Sequence, residues 1–189
     1  DGLQDLARAL DVPSVRMLNQ YGIDRFLLLL QRLGFRTVNK SADHYGLSLI
    51  LGGAEITLDG LAHAYRDMAI QLEPEAASDN AKDKGKKGFP LSKAACYLTF
   101  DALSELNRPE EEGSWRNFAT SRKVAWKTGT SWGNRDAWAV GVTPDYVVGV
   151  WVGNADGEGR ADVTGVGYAA PVMFDVYSAL PSTGWFEEP

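Results

Sequence analysis

The chain has 189 residues and a formal net charge of -6, from 19 Lys and Arg against 25 Asp and Glu. Hydrophobic residues make up 44% of the sequence and charged residues 23%, which predicts a globular fold rather than a disordered chain. The acidic balance argues against a nucleic-acid partner, since such binding relies on clustered Lys and Arg. One Cys and two His supply too few ligands for a Cys- or His-rich metal site, so no metal centre is expected.

The first part of the chain is predicted to be helical. Apolar residues recur at helical spacing over residues 3–33, with breaks expected at Pro13 and Gly22. Gly34 is placed to end the last of these helices. Residues 36–53 are predicted to be rich in loops.

Two further helices are predicted in the middle of the chain. Thr57 and Ser92 are expected to be their N-caps, and apolar stripes continue to about Leu72 and Leu106. Residues 73–90 carry Pro, Gly, Lys and Asp with little apolar content, which predicts an exposed insertion between the two helices.

After residue 123 the apolar pattern changes from that of helices to that of strands. Residues 124–128, 136–143 and 146–153 are predicted strands, and the short links indicate an antiparallel meander. Few positions in the second and third strands are polar, so we expect helices to cover both of their faces. Residues 169–180 predict a closing helix that ends before Pro181. Together these elements predict an α+β fold, an antiparallel sheet flanked by helices.

The sharpest local motif is the tripeptide Lys127-Thr128-Gly129 at the end of the first predicted strand. The lysine can attract a carboxylate, the threonine hydroxyl can hydrogen-bond it, and the glycine lets an extended peptide approach as an added strand. The amide of Thr130 is then placed to stabilise an oxyanion, and Trp132 is placed to line a substrate groove. The structural alternative is a strand that ends in a glycine turn, and the tripeptide alone does not decide between the two.

The sequence around this tripeptide resembles the transpeptidase domain of bifunctional class A penicillin-binding proteins, most of all the 1C type. The resemblance is carried by VAWKTGTS at 124–131, RDAWAVGVTP at 135–144 and VGVWVGNADGEG at 148–159. Upstream, GLSLILGGAEIT at 46–57 and LAHAY at 61–65 are similar to another stretch of that domain. The resemblance covers nearly the whole chain apart from the insertion at 73–90.

This resemblance implies a partial penicillin-binding protein and serine β-lactamase-like fold, and a serine acyl-transfer enzyme that cross-links peptidoglycan stem peptides and is acylated by penicillin. Residues 1–189 would be the C-terminal part of the transpeptidase domain. The implied roles are catalytic for Lys127 and Thr130 and substrate-binding for Thr128, Gly129 and Trp132, with no cofactor. The parent would be anchored in the bacterial cytoplasmic membrane, with this domain on the periplasmic side beside a glycosyltransferase domain.

Only one of the family's three active-site motifs, Ser-x-x-Lys, Ser-x-Asn and Lys-Thr-Gly, is intact in this chain. No Ser-x-x-Lys tetrapeptide occurs, and the nearest matches at 37–40 and 120–123 have Thr in place of Ser and the wrong order. We therefore expect the nucleophile to lie upstream of Asp1. By this interpretation the isolated chain forms no acyl-enzyme with a β-lactam.

The second motif is degenerate. Its place is taken by Ala9-Leu10-Asp11, while the literal match Ser78-Asp79-Asn80 lies in the polar insertion and is interpreted as a decoy. A methyl group at Ala9 cannot relay a proton, and the Asp11 carboxylate cannot donate a hydrogen bond unless protonated. This departure leaves open a non-catalytic penicillin-recognition or scaffold domain beside the enzyme. A serine β-lactamase is a third alternative, against which the class A resemblance argues.

Other chemistry-bearing residues are given structural roles. His63 is expected to be packed or at the surface, and Cys96 is expected to be a small core residue. Arg135 and Asp136 are expected to pair as structural support near the start of the second strand.

Overall fold

A computed structural model describes residues 11–73, 88–105 and 123–189. Its elements in chain order are helices α1 (Asp11–Tyr21), α2 (Ile23–Arg32) and α3 (Ala42–Tyr45), a 3-10 segment (Gly46–Leu51), helices α4 (Leu58–Ile70) and α5 (Lys93–Ser104), strands β1 (Ala125–Thr130), β2 (Asp136–Val142) and β3 (Val147–Gly153), a π-helical segment (Gly165–Ala169) and helix α6 (Ala170–Ala179). In the described residues the strands form one antiparallel sheet in the order β1-β2-β3. The predicted α+β fold is therefore confirmed.

Local sequence rules explain most helix boundaries. The side chains of Thr57 and Ser92 accept the amide N–H three residues on, at 3.0 and 3.1 Å, as expected of N-caps. Gly22 separates α1 from α2 with a φ of 98°, a conformation that favours glycine. The break expected at Pro13 is wrong: Pro13 lies in the first turn of α1, where a backbone N–H has no partner within the helix, so its missing N–H costs no helical hydrogen bond.

The passage at 36–53 contains more helix than the sequence pattern predicts. Ser41 caps α3 by accepting the His44 N–H at 3.3 Å, and the 3-10 segment follows directly. Tyr45 and Leu49 are buried in a core that joins α1, α2 and α4. Tertiary packing of these two side chains therefore stabilises turns that propensity alone leaves as loop.

The sheet lies between two helical layers. One face of β2, at Ala137 and Ala139, packs against the buried side chains of α6, and the other, at Val140 and Val142, packs against α4 and α5. Helices also contact both faces of β3, although this edge strand stays half-buried. The expectation of cover on both faces is thus met more fully by β2 than by β3.

The segment after α6 crosses to the opposite face of the sheet. Phe186 is buried and stacks on Phe100 of α5 with ring centroids 5.1 Å apart. The Lys123 ammonium lies 4.3 Å from the ring centroid of Trp185, and it pairs with the Asp101 carboxylate at 3.0 Å. The C-terminal residues therefore complete the core between the sheet and α5.

Most of the predicted insertion, at residues 74–87, lies outside the described residues, so its exposure stays a prediction. Its last residues pack: Phe89 contacts the core beneath α5, and the Arg32 guanidinium donates to the Gly88 carbonyl at 3.1 Å. Among the helices of the described ranges, none has the length and apolar character needed to cross a membrane.

Candidate active site

The Lys-Thr-Gly tripeptide lies where β1 emerges from the core. Burial falls along the strand, from buried at Ala125 to half-buried at Lys127 and exposed at Gly129 and Thr130. Within the described part of the chain, β1 pairs only with β2 and so is an edge strand. We name Lys127–Thr130 the KTG edge. Gly129 and Thr130 are exposed there, and an unpaired strand edge is the kind of surface to which an extended peptide can pair as an added strand.

Side chains of the KTG edge alternate between the two faces of the sheet. Lys127 and Gly129 stand opposite Val140 and Trp138, on the face covered by α4 and α5, whereas Thr128 and Thr130 stand on the α6 face. The ammonium of Lys127 and the hydroxyl of Thr128 can therefore reach a common ligand only around the free side of β1.

Lys127 is the charged group of this edge. Burial lowers the pKa of its ammonium, and the negative charge of Asp11 in α1 opposes this by raising it. The ammonium donates a hydrogen bond to the Thr128 carbonyl at 2.5 Å. Asp11 thus lies within electrostatic reach of Lys127. Ala9, which the sequence analysis aligned with the same motif as Asp11, lies outside the described residues.

Thr130 is tied to a segment that the sequence did not single out. Its hydroxyl accepts the Gly165 N–H at 3.0 Å, which joins β1 to the π-helical segment 35 positions later. The sequence feature that could have drawn attention to this segment is a Thr-Gly pair just before the last predicted helix. That pair predicts a helix start and says nothing about which strand the helix start contacts.

A turn closed by two hydrogen bonds follows the KTG edge and carries an exposed tryptophan. The Ser131 N–H donates to the Asp136 carbonyl at 2.9 Å, and the Asp136 N–H donates to the Ser131 hydroxyl at 2.8 Å. Gly133 and Asn134 adopt positive φ values of 74° and 54° between them. Trp132 is 90% exposed, which leaves its indole free to contact a ligand at the KTG edge.

The expected pairing of Arg135 with Asp136 is wrong, although the structural role of Asp136 is correct. Among the described residues, no ion pair joins these two side chains. The Asp136 carboxylate instead accepts the Trp151 indole N–H at 2.8 Å, because the register sets the start of β2 beside the end of β3. This bond links two strands close to the turn.

The remaining candidates lie away from the KTG edge. His63 is exposed on α4, where its Nδ1 donates to the Asp59 carbonyl at 2.8 Å. Cys96 is fully buried, and burial raises the pKa of its thiol to about 11, as suits a core residue. In the described ranges no three His, Cys, Asp or Glu side chains come together as metal ligands.

A cleft of about 420 Å³ lies between α4 and the β2–β3 turn, and no residue of the KTG edge lines it. Its walls include Asp59, His63, Arg66 and Asp145. It lies at the end of β2 remote from the turn that follows the KTG edge. The chemistry suggested by the sequence is therefore at an open strand edge and not in this cleft.

Comparison with known proteins identifies the relatives of this chain. No family model matches it. Penicillin-binding protein 1C of Escherichia coli strain K12 is 33% identical over 184 residues, which covers 94% of this chain and 23% of that protein. Penicillin-binding protein 1A of Neisseria gonorrhoeae is 28% identical over 198 residues, covering 91% of this chain and 23% of that protein. Penicillin-binding protein 1B of Vibrio cholerae is 30% identical over 165 residues, covering 81% and 21% respectively.

The fold agrees with these relationships. A crystal structure of penicillin-binding protein 1A from Haemophilus influenzae superposes with a TM-score of 0.66 and 21% identity, over 98% of this chain and 35% of that one. The chain spans about a quarter of the length of the curated relatives it matches. The chain therefore belongs to the penicillin-binding protein family, of which it matches one segment, and it has their α+β fold.

Proposed function

We propose that the chain is the C-terminal part of a D,D-transpeptidase domain, and that the KTG edge binds the end of a peptidoglycan stem peptide. The observation that carries this proposal is a Lys-Thr-Gly sequence on the free side of an edge strand, with Gly129 exposed and Lys127 half-buried beside it. A partly desolvated ammonium attracts a carboxylate more strongly than one in bulk water does. Homology to proteins named for penicillin binding supports the same assignment.

In the proposed reaction, a serine upstream of Asp1 attacks the carbonyl carbon of the penultimate D-alanine. The peptide bond to the terminal D-alanine breaks, an ester to the serine forms, and D-alanine leaves with the proton that its amine requires. An amine of a neighbouring strand then attacks the ester, forming the cross-linking amide and restoring the serine hydroxyl. β-Lactams would acylate the same serine. The chemistry calls for no cofactor.

Each residue of the edge has a distinct proposed role. Lys127 and Thr128 bind the terminal carboxylate around the free side of β1, and Gly129 admits the donor backbone. The N–H of Thr130 donates to the oxyanion that forms at the attacked carbonyl. Trp132 lines the groove beside the edge.

The proposed setting is the periplasmic side of the bacterial cytoplasmic membrane, within a membrane-anchored class A parent that also carries a glycosyltransferase domain. Stem peptides are the proposed partners. The support is homology with penicillin-binding proteins 1A, 1B and 1C, of which the chain matches one segment.

A second candidate is a non-catalytic scaffold or penicillin-recognition domain. It is favoured by Asp11, whose charge acts on Lys127. A carboxylate at this position competes with a ligand carboxylate for the same ammonium, whereas the asparagine of the family motif would not. The loss of the serine hydroxyl at Ala9 acts in the same direction.

The test is covalent labelling of the full-length gene product by a fluorescent penicillin, followed on denaturing gels. The enzyme hypothesis predicts a labelled band that Lys127→Met weakens about 10- to 100-fold, since a charge-assisted hydrogen bond contributes about 1.5–3 kcal/mol. Lys93→Met is the control, because Lys93 is an exposed lysine at the start of α5. Absence of label on folded protein would overturn the enzyme hypothesis in favour of the scaffold. Label that is lost rapidly as hydrolysed drug would indicate a β-lactamase.

A further inference from the structure

The π-helical segment contacts the KTG edge on the face of the sheet that α6 covers. This segment begins at Gly165, which is buried and whose N–H donates to the Thr130 hydroxyl at 3.0 Å. Thr164 caps the segment by accepting the Gly167 N–H at 3.1 Å.

Gly165 also touches the strand backbone where a side chain would stand. A Cβ on Gly165 would lie 2.5 Å from the Gly129 carbonyl oxygen and 2.6 Å from that of Trp138, whereas ordinary contact begins at 3.4 Å. These two oxygens belong to residues directly opposed in the β1–β2 pair. Any larger residue at 165 must therefore push the segment away from the sheet or displace the KTG edge itself.

We propose that Gly165 is a positioning residue for the KTG edge: its N–H anchors Thr130, and its missing side chain lets the π-helical segment rest on the β1–β2 backbone. The proposal rests on the function proposed above. It assigns no contact between Gly165 and the substrate. Gly165 acts through Thr130, because the bond to the hydroxyl fixes the direction of the Thr130 backbone N–H that would donate to the oxyanion.

The size of the expected effect follows from the geometry. Relief of the contacts that the methyl group of a Gly165→Ala variant would make requires a shift of up to about 0.9 Å. A misplacement of about 1 Å in a catalytic group can slow a reaction about 100-fold. The same Cβ would lie 3.0 Å from the Thr128 Cβ, a contact that a smaller shift of up to about 0.4 Å relieves. The carboxylate subsite is therefore disturbed less than the oxyanion donor, and the chemical step should suffer more than ligand capture.

The first experiment measures acylation of the full-length gene product by penicillin over a range of concentrations. Gly165→Ala should lower the saturating acylation rate about 10- to 100-fold while the half-saturating concentration changes little. Gly167→Ala is the matched control, because it changes a glycine of the same segment whose Cβ would meet only the Thr164 hydroxyl. A purely structural role would lower thermal stability and leave the saturating rate per folded molecule unchanged.

A second pair of variants keeps the proposal testable if Gly165→Ala fails to fold. Thr130→Val removes the hydroxyl and keeps the backbone N–H, so it should lower the saturating rate as Gly165→Ala does. Thr130→Ser keeps the acceptor, so its saturating rate should lie well above that of Thr130→Val. Equal rates for wild type and Thr130→Val would overturn the proposal.

Hydrogen exchange separates this proposal from the proposed function. In the 189-residue chain, Thr130→Val should speed exchange of the Gly165 amide at least about 10-fold, because its acceptor is gone. If the wild type is not acylated, the transpeptidase assignment fails. Hydrogen exchange then decides by itself whether the Gly165 N–H is bonded to the Thr130 hydroxyl. If the Gly165 amide exchanges at the same rate in Thr130→Val as in the wild type, this hydrogen bond is refuted whatever the labelling result.

Discussion

Replacing Phe186 by alanine tests whether the C-terminal residues belong to the core of the fold. Phe186 is 8% exposed, its ring stacks at 5.1 Å on Phe100, and Phe100 is fully buried. Trp185 packs edge-on against the Phe186 ring, with centroids 5.2 Å apart. The substitution would therefore remove the middle ring of an aromatic cluster beneath the sheet.

The expected loss is about 3 kcal/mol of unfolding free energy. Phe→Ala substitutions in cores cost about 3–5 kcal/mol through lost burial and the cavity left behind. The lower end applies because Phe186 lies in a segment without helix or strand, which can shift to fill part of the cavity. For a chain of this length, 1 kcal/mol corresponds to about 2–4 °C, so the melting temperature should fall by about 6–12 °C.

Thermal and urea unfolding of the chain, followed by circular dichroism, measure this loss. Glu187→Ala is the control, because Glu187 is the exposed neighbour on the same segment. Phe186→Leu should recover about half of the loss, since it restores apolar volume without the ring. If Phe186→Ala and Glu187→Ala unfold at the same temperature, the C-terminal segment does not pack on α5 and the argument is refuted.

Three further predictions concern the sheet and the KTG edge. Gly141→Ala should lower the free energy of unfolding by about 1–3 kcal/mol, because the added Cβ would lie 2.6 Å from the Tyr177 ring. Gly184→Ala is the control: a Cβ there would have no atom within 4 Å, so the free energy of unfolding should change by under about 0.5 kcal/mol. Equal losses in the two variants would contradict this packing. Burial lowers the pKa of Lys127 in the folded chain below its ordinary value of 10.5. Between the folded-state pKa and 10.5 the unfolded chain binds more protons than the folded chain, so the free energy of unfolding rises with pH. Lys127→Met should remove this rise. Asp11→Asn should lower the Lys127 pKa further in an NMR titration, and an unchanged value would show that the Asp11 charge does not reach it.

The charge of Asp11 has a consequence for the two candidate functions. The same carboxylate that helps to keep Lys127 protonated also competes with a ligand carboxylate for it. If Asp11→Asn strengthens labelling by penicillin, the wild-type residue weakens an active site. If labelling is absent from both forms of the folded protein, the scaffold hypothesis gains.

Local patterns in the sequence were sufficient for most of the elements and for the motif, but not for the helical turns within 36–53. The caps at Thr57 and Ser92 depend only on a hydroxyl three residues before an amide, and the strands depend on an apolar alternation within a few residues. The family resemblance also rests on contiguous residues around Lys127. Such features are short-range, so they can be predicted without knowing the fold.

Contacts between distant parts of the chain were decided only by the tertiary structure. The register of β1 on β2 sets Lys127 and Thr128 on opposite faces, and packing brings Gly165 against the KTG edge and Phe186 against α5. Asp136 bonds Trp151 rather than its neighbour Arg135 for the same reason. Apolar periodicity reports that a side chain is buried but not against which partner, because the partner depends on how whole elements pack.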